Sequence, residues 1–445
     1  MDYNFLEQMI KDHGVVDKSY YNKYDVKRGL RNRDGSGVIA GLTQIGEVKG
    51  FVMDDLEVIP IEGKLKYRGI NINTIVEHLK SKKRFMFEEV MYLLLFGKLP
   101  TQTEEKEFIE LLQKNMILPD EFIEDIIRKH PSKDIMNNLA RSVLACFSFD
   151  NSSDEIDLAA SVKQSLNLIA KFPPIIAYAY QAKMEKYENK TPFYNRPLKE
   201  LSIAENFLRM IRPDGKFTDL EAEILDLALV LHAEHGGGNN STFTTHVVTS
   251  ALTDTYSVIA ASVGSLKGAR HGGANLKVNF MMDDFKRNIK DWTDKEEVKK
   301  YIIKVLRKEA YDKTGLVYGV GHGVYTRSDP RALILKDYAR QLAKMKGKEN
   351  EFALYELVEE QVPLAVSEFK GKKLVVSPNV DFYSGFVYKI LGIPFDLNTP
   401  IFAMARIVGW SAHRLEEIAS GEKIIRPAYK NVIGECEYIP QDKRL

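Results

Sequence analysis

The amino-acid sequence predicts an all-α protein. Apolar residues recur with helical periodicity from Phe85 onward, whereas alternating or β-branched stretches are brief. Two capping boxes, Thr101-x-x-Glu104 and Thr218-x-x-Glu221, indicate where helices begin. At four places glycines surround a polar side chain within this helical background. Because glycine inside a helix costs backbone entropy and hydrogen bonds, such breaks indicate functional segments.

Other local signals complete the order of the elements. Residues 1–40 carry glycines among charges and predict an N-terminal helical arm followed by a loop. Extended structure is predicted at Val48–Ile61 and at Leu374–Val376. Proline follows a capping residue in Asp329-Pro330 and in Thr399-Pro400, which predicts a helix start at each. No internal repeat, low-complexity linker or domain boundary is evident.

Composition excludes several classes of protein. With 445 residues, 44% of them apolar, the chain can bury a large core, and its length suggests two or three domains. Lys plus Arg (63) nearly equals Asp plus Glu (62), which argues against nucleic acid or an anionic membrane as the main ligand. Cys146 and Cys436 are too isolated for a disulfide framework or a cysteine zinc site. The acidic N-terminus and the shortness of the longest apolar run, Val90–Phe96, predict a cytoplasmic protein without signal peptide or membrane span.

The first glycine-rich cluster, His-Ala-Glu-His-Gly-Gly-Gly-Asn, begins at His232. It predicts the end of a helix that starts near Leu220, with the glycines as terminator. His232 and His235 are three residues apart and so share a helix face, where both imidazoles can approach one ligand. A cation favoured by the negative helix end explains the pair equally well. Zinc is a third possibility, but the His-Glu-x-x-His spacing of metallohydrolases is absent.

The second cluster, Arg-His-Gly-Gly-Ala-Asn, begins at Arg270 and falls between two predicted helices. The first helix spans Thr255–Leu266 and the next begins near Ala274. A histidine just before a helix N-terminus is favoured as neutral imidazole, which can donate a hydrogen bond to a forming enolate. An ordinary turn histidine is the alternative for His271, although the Gly272-Gly273 pair lets a ligand approach the backbone closely.

The third cluster, Gly-Val-Gly-His-Gly-Val-Tyr, begins at Gly319 and places His322 between two glycines, outside regular helix. Nine residues later, Arg331 falls on the first turn of the helix that Asp329-Pro330 opens. A cation gains nothing from the helix dipole at that position, so Arg331 indicates an anion to bind. A solvent-exposed arginine is the alternative.

The fourth cluster, Pro-Asn-Val-Asp-Phe-Tyr-Ser-Gly, contains Asp381. An aspartate before an apolar helical stretch is often an N-cap. The two aromatic residues after Asp381 indicate instead a partly desolvated carboxylate with a raised pKa, which suits a general base. Further along, Arg406 lies on an apolar helix beside Phe402 and Trp410, where an arginine requires a carboxylate partner.

In their order and spacing, the four clusters resemble the active-site segments of the citrate synthase family. The resemblance runs from about Leu65 to Pro427. It implies a large helical domain, residues 1–276 and 383–445, interrupted by a smaller helical domain, residues 277–382, with the active-site cleft between them. It also implies a homodimer, with acetyl-CoA and oxaloacetate as substrates, no further cofactor and no metal.

The resemblance implies a role for each candidate residue. His271 stabilises the enol of acetyl-CoA, Asp381 removes the methyl proton, and His322 polarises the oxaloacetate carbonyl. Oxaloacetate or citrate is bound by His235, Arg331, Arg406 and, across the dimer interface, Arg426. Acyl-CoA is bound by Leu316, Val317, Gly319, Gly321, Lys372 and Lys373.

Other functions remain open at this point. A 2-methylcitrate synthase uses propionyl-CoA with the same chemistry, and a citryl-CoA lyase would run that chemistry backward. A non-catalytic regulatory relative would be expected to lose at least one of His271, His322 and Asp381, and all three are present. A metallohydrolase built on the histidines has no obvious third ligand. The chain departs from the family pattern at Gly236, where Glu is frequent, and at Ala269-Arg270, where Pro and an apolar residue are frequent.

Overall fold

The chain divides into two compact units in the computed structural model, which describes residues 2–32, 34–54, 57–82, 87–421 and 423–444. The first unit comprises residues 1–42 and 425–445, and the second comprises residues 43–424. The predicted N-terminal arm in the first unit is helical: α1 spans Tyr3–His13 and α2 spans Ser19–Lys23. Short 3-10 turns lie at Arg28–Leu30 and Gln441–Lys443.

The second unit begins with a small antiparallel sheet. Strand β1 (Gly46–Asp54) pairs with β2 (Glu57–Tyr67), and β2 pairs with the short β3 (Ile70–Asn71). The extended structure predicted at Val48–Ile61 is therefore confirmed as a hairpin. The other predicted extended run, Leu374–Val376, forms no strand; only an isolated bridge between Val320 and Pro378 lies near it.

Within its described residues, the rest of this unit is helical, which confirms the all-α prediction. The predicted helical start at Phe85 lies outside the described residues. The helices are α3 (Ile72–Lys82), α4 (Phe87–Phe96), α5 (Gln102–Asn115), α6 (Ile135–Cys146), α7 (Leu158–Glu188), α8 (Ile203–Ile211), α9 (Asp219–His232), α10 (Asn240–Thr249), α11 (Thr255–Lys267), α12 (Ala274–Asn288), α13 (Lys295–Leu306), α14 (Pro330–Met345), α15 (Glu349–Lys370), α16 (Val380–Ile390) and α17 (Asn398–Ser420), with a π-helical turn at Phe122–Arg128 and 3-10 turns at Phe147–Phe149 and Phe395–Leu397.

Helix starts follow the predicted side-chain caps in three of four places. Thr101 and Thr218 form complete capping boxes at α5 and α9, and Asp329 caps α14 with Pro330 as its first residue. The start predicted at Thr399-Pro400 is wrong, because α17 begins at Asn398 directly after a 3-10 turn. That turn already gives the chain helical geometry, so the Thr399 hydroxyl is free to donate to the Gly272 carbonyl (2.9 Å).

The predicted end of α9 is also wrong. The helix ends at His232, with Ala233 as C-cap, before the glycine run begins. The Glu234 carboxylate accepts a hydrogen bond from the Gly236 N–H, which stabilises a turn at that point. His235 therefore lies outside the helix, and it does not share a helix face with His232.

Helix α17 forms the centre of the second unit, since every residue from Pro400 to Leu415 is buried. It packs against α4, α7, α9, α10 and α11, so polar side chains on α17 face other helices rather than water. Among the described residues, no helix combines the length and hydropathy needed to cross a bilayer.

Candidate active site

His271 lies in the predicted turn between α11 and α12, and its hydrogen bonds define its tautomer. Its Nε2 accepts the Ser241 backbone N–H (3.4 Å) and contacts the Ser241 hydroxyl (3.1 Å). Because a backbone N–H can only donate, Nε2 carries no hydrogen, and a neutral ring must carry its hydrogen on Nδ1. Burial lowers the pKa of His271 to about 4, with a further contribution from the charge of Arg406. His271 is therefore a neutral donor near pH 7.

Sequence reasoning missed Ser241, which fixes His271 in place. Ser241 is the second residue of α10 and is fully buried. Its hydroxyl accepts a hydrogen bond from the Trp410 indole (3.1 Å) and lies 3.0 Å from the Asn239 side-chain oxygen. Helices α10 and α17 together thus hold the acceptor side of His271. No local pattern signals this, because Ser241 lies 30 residues before the histidine.

His322 lies outside helix, as predicted, and has the opposite tautomer. Its Nδ1 accepts the backbone N–H groups of Val324 (3.0 Å) and Tyr325 (3.1 Å), so a neutral ring carries its hydrogen on Nε2. Its ring centroid is 5.0 Å from that of His235 and 4.7 Å from that of Tyr325. His322 and His235 are therefore brought together, as the candidate roles require.

The β1–β2 hairpin supports the loop that follows His322. A Cβ atom at Gly50 would overlap the Val324 carbonyl oxygen, and one at Gly63 would overlap the Ser328 carbonyl oxygen. The Ser328 hydroxyl donates to the Glu62 carboxylate and accepts the Gly63 N–H (3.2 Å). Only glycine permits this closeness, so both glycines are needed where the hairpin meets loop 322–328.

His232 and His235 are both buried and lack hydrogen bonds that would satisfy them. Within the described part of the chain, Nε2 of His235 and both ring nitrogens of His232 have no partner. Burial, reinforced by the charges of Arg331 and Arg406, holds the pKa of both rings well below the ordinary value. His232 stacks on Phe402 with 4.3 Å between ring centroids. Such unsatisfied buried groups are expected where a polar ligand binds.

Arg331 is buried and already has an anionic partner, which is Asp329 of the same chain. Its Nε and Nη2 donate to the two carboxylate oxygens of Asp329 at 3.0 and 2.8 Å. The solvent-exposed alternative is therefore wrong. Burial opposes the charged form of Arg331, but Asp329 outweighs burial and the pKa of Arg331 is raised. Asp329 also accepts the Val380 N–H (3.1 Å), which joins the start of α14 to the start of α16.

Arg406 is fully buried on α17 and is incompletely paired. Its Nε donates to the His232 carbonyl oxygen (2.7 Å), while Nη1 and Nη2 have no partner among the described residues. Burial lowers the pKa of Arg406 to about 10, although the nearby Glu234 opposes this. A buried guanidinium with two open nitrogens suits a carboxylate, which it can bind in a bidentate manner.

Asp381 is the second residue of α16, and the N-cap alternative for it is wrong. The cap is Asn379, whose side-chain oxygen accepts the Asp381 N–H (3.0 Å). Burial raises the pKa of Asp381 to about 6; Arg331 and Arg406 oppose this, and Asp329 adds to it. The carboxylate is thus ionised near pH 7 and is a stronger base than an exposed aspartate.

The chain is similar over most of its length to known proteins of one family. The family model "Citrate synthase, C-terminal domain" matches residues 34–428. A citrate synthase of Synechocystis sp. is 35% identical over 92% of this chain and 93% of its own length. A solved citrate synthase of Thermoplasma acidophilum, in complex with carboxymethyl coenzyme A and oxaloacetate, superposes with a TM-score of 0.75 at 26% identity, covering 94% of this chain and 99% of that one. The chain belongs to the citrate synthase family. Members of this family are acyltransferases, and so is this chain. The CoA thioester is a substrate of the reaction, which needs no cofactor.

Relatives named 2-methylcitrate synthase also match the chain. A protein named 2-methylcitrate synthase 1 from Corynebacterium glutamicum is 31% identical over 94% of this chain and 98% of its own length.

The loop that the citrate synthase resemblance assigns to CoA is hydrogen-bonded to the segment that leads into Asp381. Gly321 donates its N–H to the Ser377 carbonyl (2.8 Å), and Asn379 donates its backbone and side-chain N–H groups to the carbonyls of Gly319 (2.9 Å) and Gly321 (2.8 Å). Both glycines have positive φ, 75° and 84°. Leu316, Lys372 and Lys373 are exposed, as a surface for CoA requires.

Two remaining expectations for the site concern Arg426 and metals. Arg426 is exposed and belongs to the first unit, in the segment after α17, so its place at a partner's site remains a prediction. Within the described residues, no three His, Cys, Asp or Glu side chains are arranged as a metal site.

Proposed function

We propose that this chain condenses acetyl-CoA with oxaloacetate and water to give citrate and CoA, the entry of two-carbon units into the tricarboxylic acid cycle. The observation that carries the proposal is the pairing of a base with a neutral donor. Asp381 has a raised pKa, and His271 presents an Nδ1 hydrogen. The charge of Arg406 influences the pKa of both residues, so both lie around one guanidinium.

Deprotonation of acetyl-CoA requires these two groups to act together. The methyl group of a thioester is too weak an acid for a carboxylate alone to deprotonate at pH 7. Asp381 takes the methyl proton while the His271 Nδ1–H donates to the thioester oxygen, where negative charge develops. Because this site is buried, that hydrogen bond is stronger than it would be in water.

Oxaloacetate is the second substrate that the remaining groups fit. One carboxylate binds the open guanidinium nitrogens of Arg406, and the His322 Nε2–H donates to the carbonyl and makes its carbon more electrophilic. His235 and Arg331 complete the binding of this dianion, alongside Arg426 of the partner subunit. The enol carbon then attacks the carbonyl carbon, and water hydrolyses the resulting citryl thioester to release CoA.

Acetyl-CoA is proposed as the acyl substrate because several relatives named citrate synthase, at 33–37% identity, exceed those named 2-methylcitrate synthase, at 31%. Steady-state release of CoA in the presence of oxaloacetate tests this directly, with acetyl-CoA and propionyl-CoA compared at equal concentration. A higher kcat/KM with propionyl-CoA would make the chain a 2-methylcitrate synthase. Absence of CoA release with either would refute the proposed function.

The role of Asp381 has its own test. Asp381→Asn should lower kcat by at least about two orders of magnitude, the usual scale for a lost general base. In the unchanged protein, a non-condensing oxaloacetate analogue should allow exchange of the acetyl-CoA methyl protons, measured by NMR. Undiminished exchange in Asp381→Asn would assign the base elsewhere. His271→Ala should lower kcat to a similar extent, because it removes the donor to the enol.

We also propose a cytoplasmic homodimer in which Arg426 completes the partner's site. The support is the exposure of Arg426 and the family match, which extends to residue 428. Mixing Arg426→Ala with Asp381→Ala chains, each inactive alone, tests it. If Arg426 acts across the interface, one site of each heterodimer is intact and about half the activity per heterodimer returns. A mixture that stays inactive after heterodimers have formed would refute the interface role.

A further inference from the structure

Four side chains outside the proposed mechanism form a continuous chain of hydrogen bonds, here called the imidazole chain: Glu417, His246, His413 and Glu234. His246 Nδ1 lies 2.7 Å from Glu417 Oε2, and its Nε2 lies 3.0 Å from His413 Nδ1. His413 Nε2 lies 3.1 Å from Glu234 Oε1. His413 and Glu234 are completely buried, and His246 and Glu417 are largely buried.

Counting hydrogens in the imidazole chain gives its charge. Each of the three contacts joins two atoms that attract only if one hydrogen lies between them. Two neutral imidazoles supply only two such hydrogens, and the carboxylates supply none. We infer that His246 and His413 share a third proton, so that the pair is a buried cation, and that this cation positions Glu234 and keeps Arg406 available to the substrate carboxylate.

The surrounding charges favour a cation at this place. Glu416 on α17 lies 3.9 Å from His413 Nδ1, in addition to the two carboxylates of the chain. Helix α10 carries no ionisable side chain other than His246. On the sheet side, Arg68 is within electrostatic range of Glu234 and Glu416, and on α17 Arg406 is within range of Glu234. Among the described residues, three carboxylates therefore surround the histidine pair, and the two arginines act on those carboxylates.

The environments of His246 and Glu234 differ in how they affect the pKa of each group. Burial lowers the pKa of His246, and the neighbouring His413 lowers it further, against the opposing effect of Glu417. Burial works against the charged form of Glu234, but His413, Arg406 and the Gly236 N–H together hold its pKa below the usual value. Glu234 is therefore ionised at neutral pH and supplies no hydrogen to the imidazole chain.

The position of Glu234 explains why this charge matters for substrate binding. A Cβ atom at Gly409 would overlap Oε2 of Glu234 and lie 3.5 Å from Cδ of Arg406, so both side chains pack on the same glycine. Nevertheless, no ion pair joins Glu234 to Arg406 among the described residues, and Oε2 of Glu234 has no hydrogen-bond partner. A carboxylate released by His413 would pair with the open guanidinium and compete with the substrate.

The inference rests on the proposed function, in which Arg406 binds a carboxylate of oxaloacetate. It predicts the direction in which the KM for oxaloacetate changes with pH. When the third proton leaves at high pH, the imidazole chain gains one negative charge beside the site of a dianion. The KM for oxaloacetate should then rise, whereas kcat at saturation should remain nearly constant. His413, His246 and Glu234 are positioning residues in this account.

NMR of the unchanged protein with 15N-labelled histidine tests the proton count independently of any activity. At pH 8 one ring of the pair should still be protonated on both nitrogens, and the exposed His130 provides a reference signal outside the pair. Spectra of His246→Leu assign the signals. Two singly protonated rings at pH 7 would overturn the inference, whatever the kinetics show.

Kinetics of three variants test the link to substrate binding. His246→Leu removes the shared charge and should raise the KM for oxaloacetate at pH 7 about tenfold, the scale for a unit charge roughly 10 Å away at an effective dielectric constant near 20. His246→Arg supplies a permanent charge and should keep KM low and constant from pH 7 to 9.5. His130→Gln, the matched control, should follow the unchanged protein, whose KM should rise in step with the deprotonation seen by NMR.

The outcomes separate this inference from the proposed function. Identical KM–pH profiles for the unchanged protein and His246→Arg would overturn the link between the imidazole chain and Arg406. Failure of the unchanged protein to release CoA would refute the proposed function, while the NMR count would still decide the charge of the pair. Thermal unfolding of each variant, with a midpoint near that of the unchanged protein, shows that a changed KM does not reflect misfolding.

Discussion

The start of α14 and the middle of α17 each bury an arginine, but they provide its counter-charge differently. Arg331 lies two residues after Asp329 and makes two hydrogen bonds to that carboxylate. Among the described residues, Arg406 makes one hydrogen bond, to a backbone carbonyl, and two of its nitrogens have no partner. The pKa of Arg331 is accordingly raised by its partner, whereas burial lowers that of Arg406 to about 10.

This difference distinguishes a structural ion pair from a binding group. An arginine with a built-in carboxylate contributes orientation and stability to the folded chain without further help. An arginine buried without a carboxylate partner destabilises the fold until an anion binds. Part of the binding free energy of that anion therefore comes from removing this destabilisation. Arg331 should therefore matter more for folding, and Arg406 should matter more for substrate binding.

The largest effect is expected from Arg331→Met, because it leaves Asp329 buried without its partner. The free energy of unfolding in urea should fall by about 3–5 kcal/mol, the usual result of breaking a buried pair from one side. Adding Asp329→Asn in the same chain should recover part of that loss. An Arg331→Met variant as stable as the unchanged protein would show that Arg331 and Arg406 do not differ in their contribution to stability.

Arg406→Gln should have the opposite profile. The free energy of unfolding should stay within about 1 kcal/mol, because the charge that is removed has no carboxylate partner in the described part of the chain. The kcat/KM for oxaloacetate should fall about a hundredfold or more, the scale for losing one side of a buried charged contact. The matched control is Arg414→Gln on the same helix, since Arg414 is buried but bonded to Thr249, Thr253 and Thr255. Equal losses of kcat/KM in both variants would contradict the assignment.

A smaller effect of Arg406 is expected on the pH dependence of kcat. Asp381 acts as a base only when ionised, and its pKa is about 6, so kcat should fall as pH decreases through 6, by about tenfold per unit below it. The charge of Arg406 holds that pKa down. In Arg406→Gln, the acidic limb of the profile should therefore move to higher pH. An unmoved limb would mean that the limb reports another group.

No effect is expected from metal removal. The anionic substrate is assigned to arginines and histidines alone, so dialysis against a strong chelator should leave activity unchanged, and elemental analysis should find no stoichiometric zinc. Activity that is lost to the chelator and restored by one equivalent of zinc would show that a metal ion takes part in the reaction.

Much of the candidate site could be predicted from the sequence because its signals are local. Glycines mark the irregular segments that hold His271 and His322, and capping residues mark most helix starts, including Asn379 before Asp381. Gly385 of the fourth cluster, by contrast, lies inside α16. The partner of Arg331 is also local, since the Asp-Pro-Arg order puts a carboxylate two residues before the guanidinium. The sequence pattern predicts only the capping role of the Asp329 carboxylate, whereas that carboxylate both caps α14 and pairs with Arg331.

What the sequence could not show depends on contacts between distant segments. Ser241 defines the tautomer of His271 from 30 residues away, and His413 bonds Glu234 across 179 residues. His413 follows Arg406 by seven residues and so shares its helix face, which is the one local hint of a connection. The C-terminal end of α9 and the start of α17 differ from the prediction for a similar reason, since a side chain and a 3-10 turn override the glycine and proline signals.

The hairpin behind loop 322–328 has a consequence for ligand-linked dynamics. Its glycines pack on carbonyls of that loop, and Glu62 bonds Ser328, the residue before Asp329. These contacts couple the order of the loop to the order of the hairpin. If oxaloacetate binding orders the loop, it must therefore also order the hairpin, because such coupling is reciprocal. Strands β1 and β2 hold none of the proposed oxaloacetate-binding residues, yet their backbone amides should exchange with deuterium more slowly when oxaloacetate is bound.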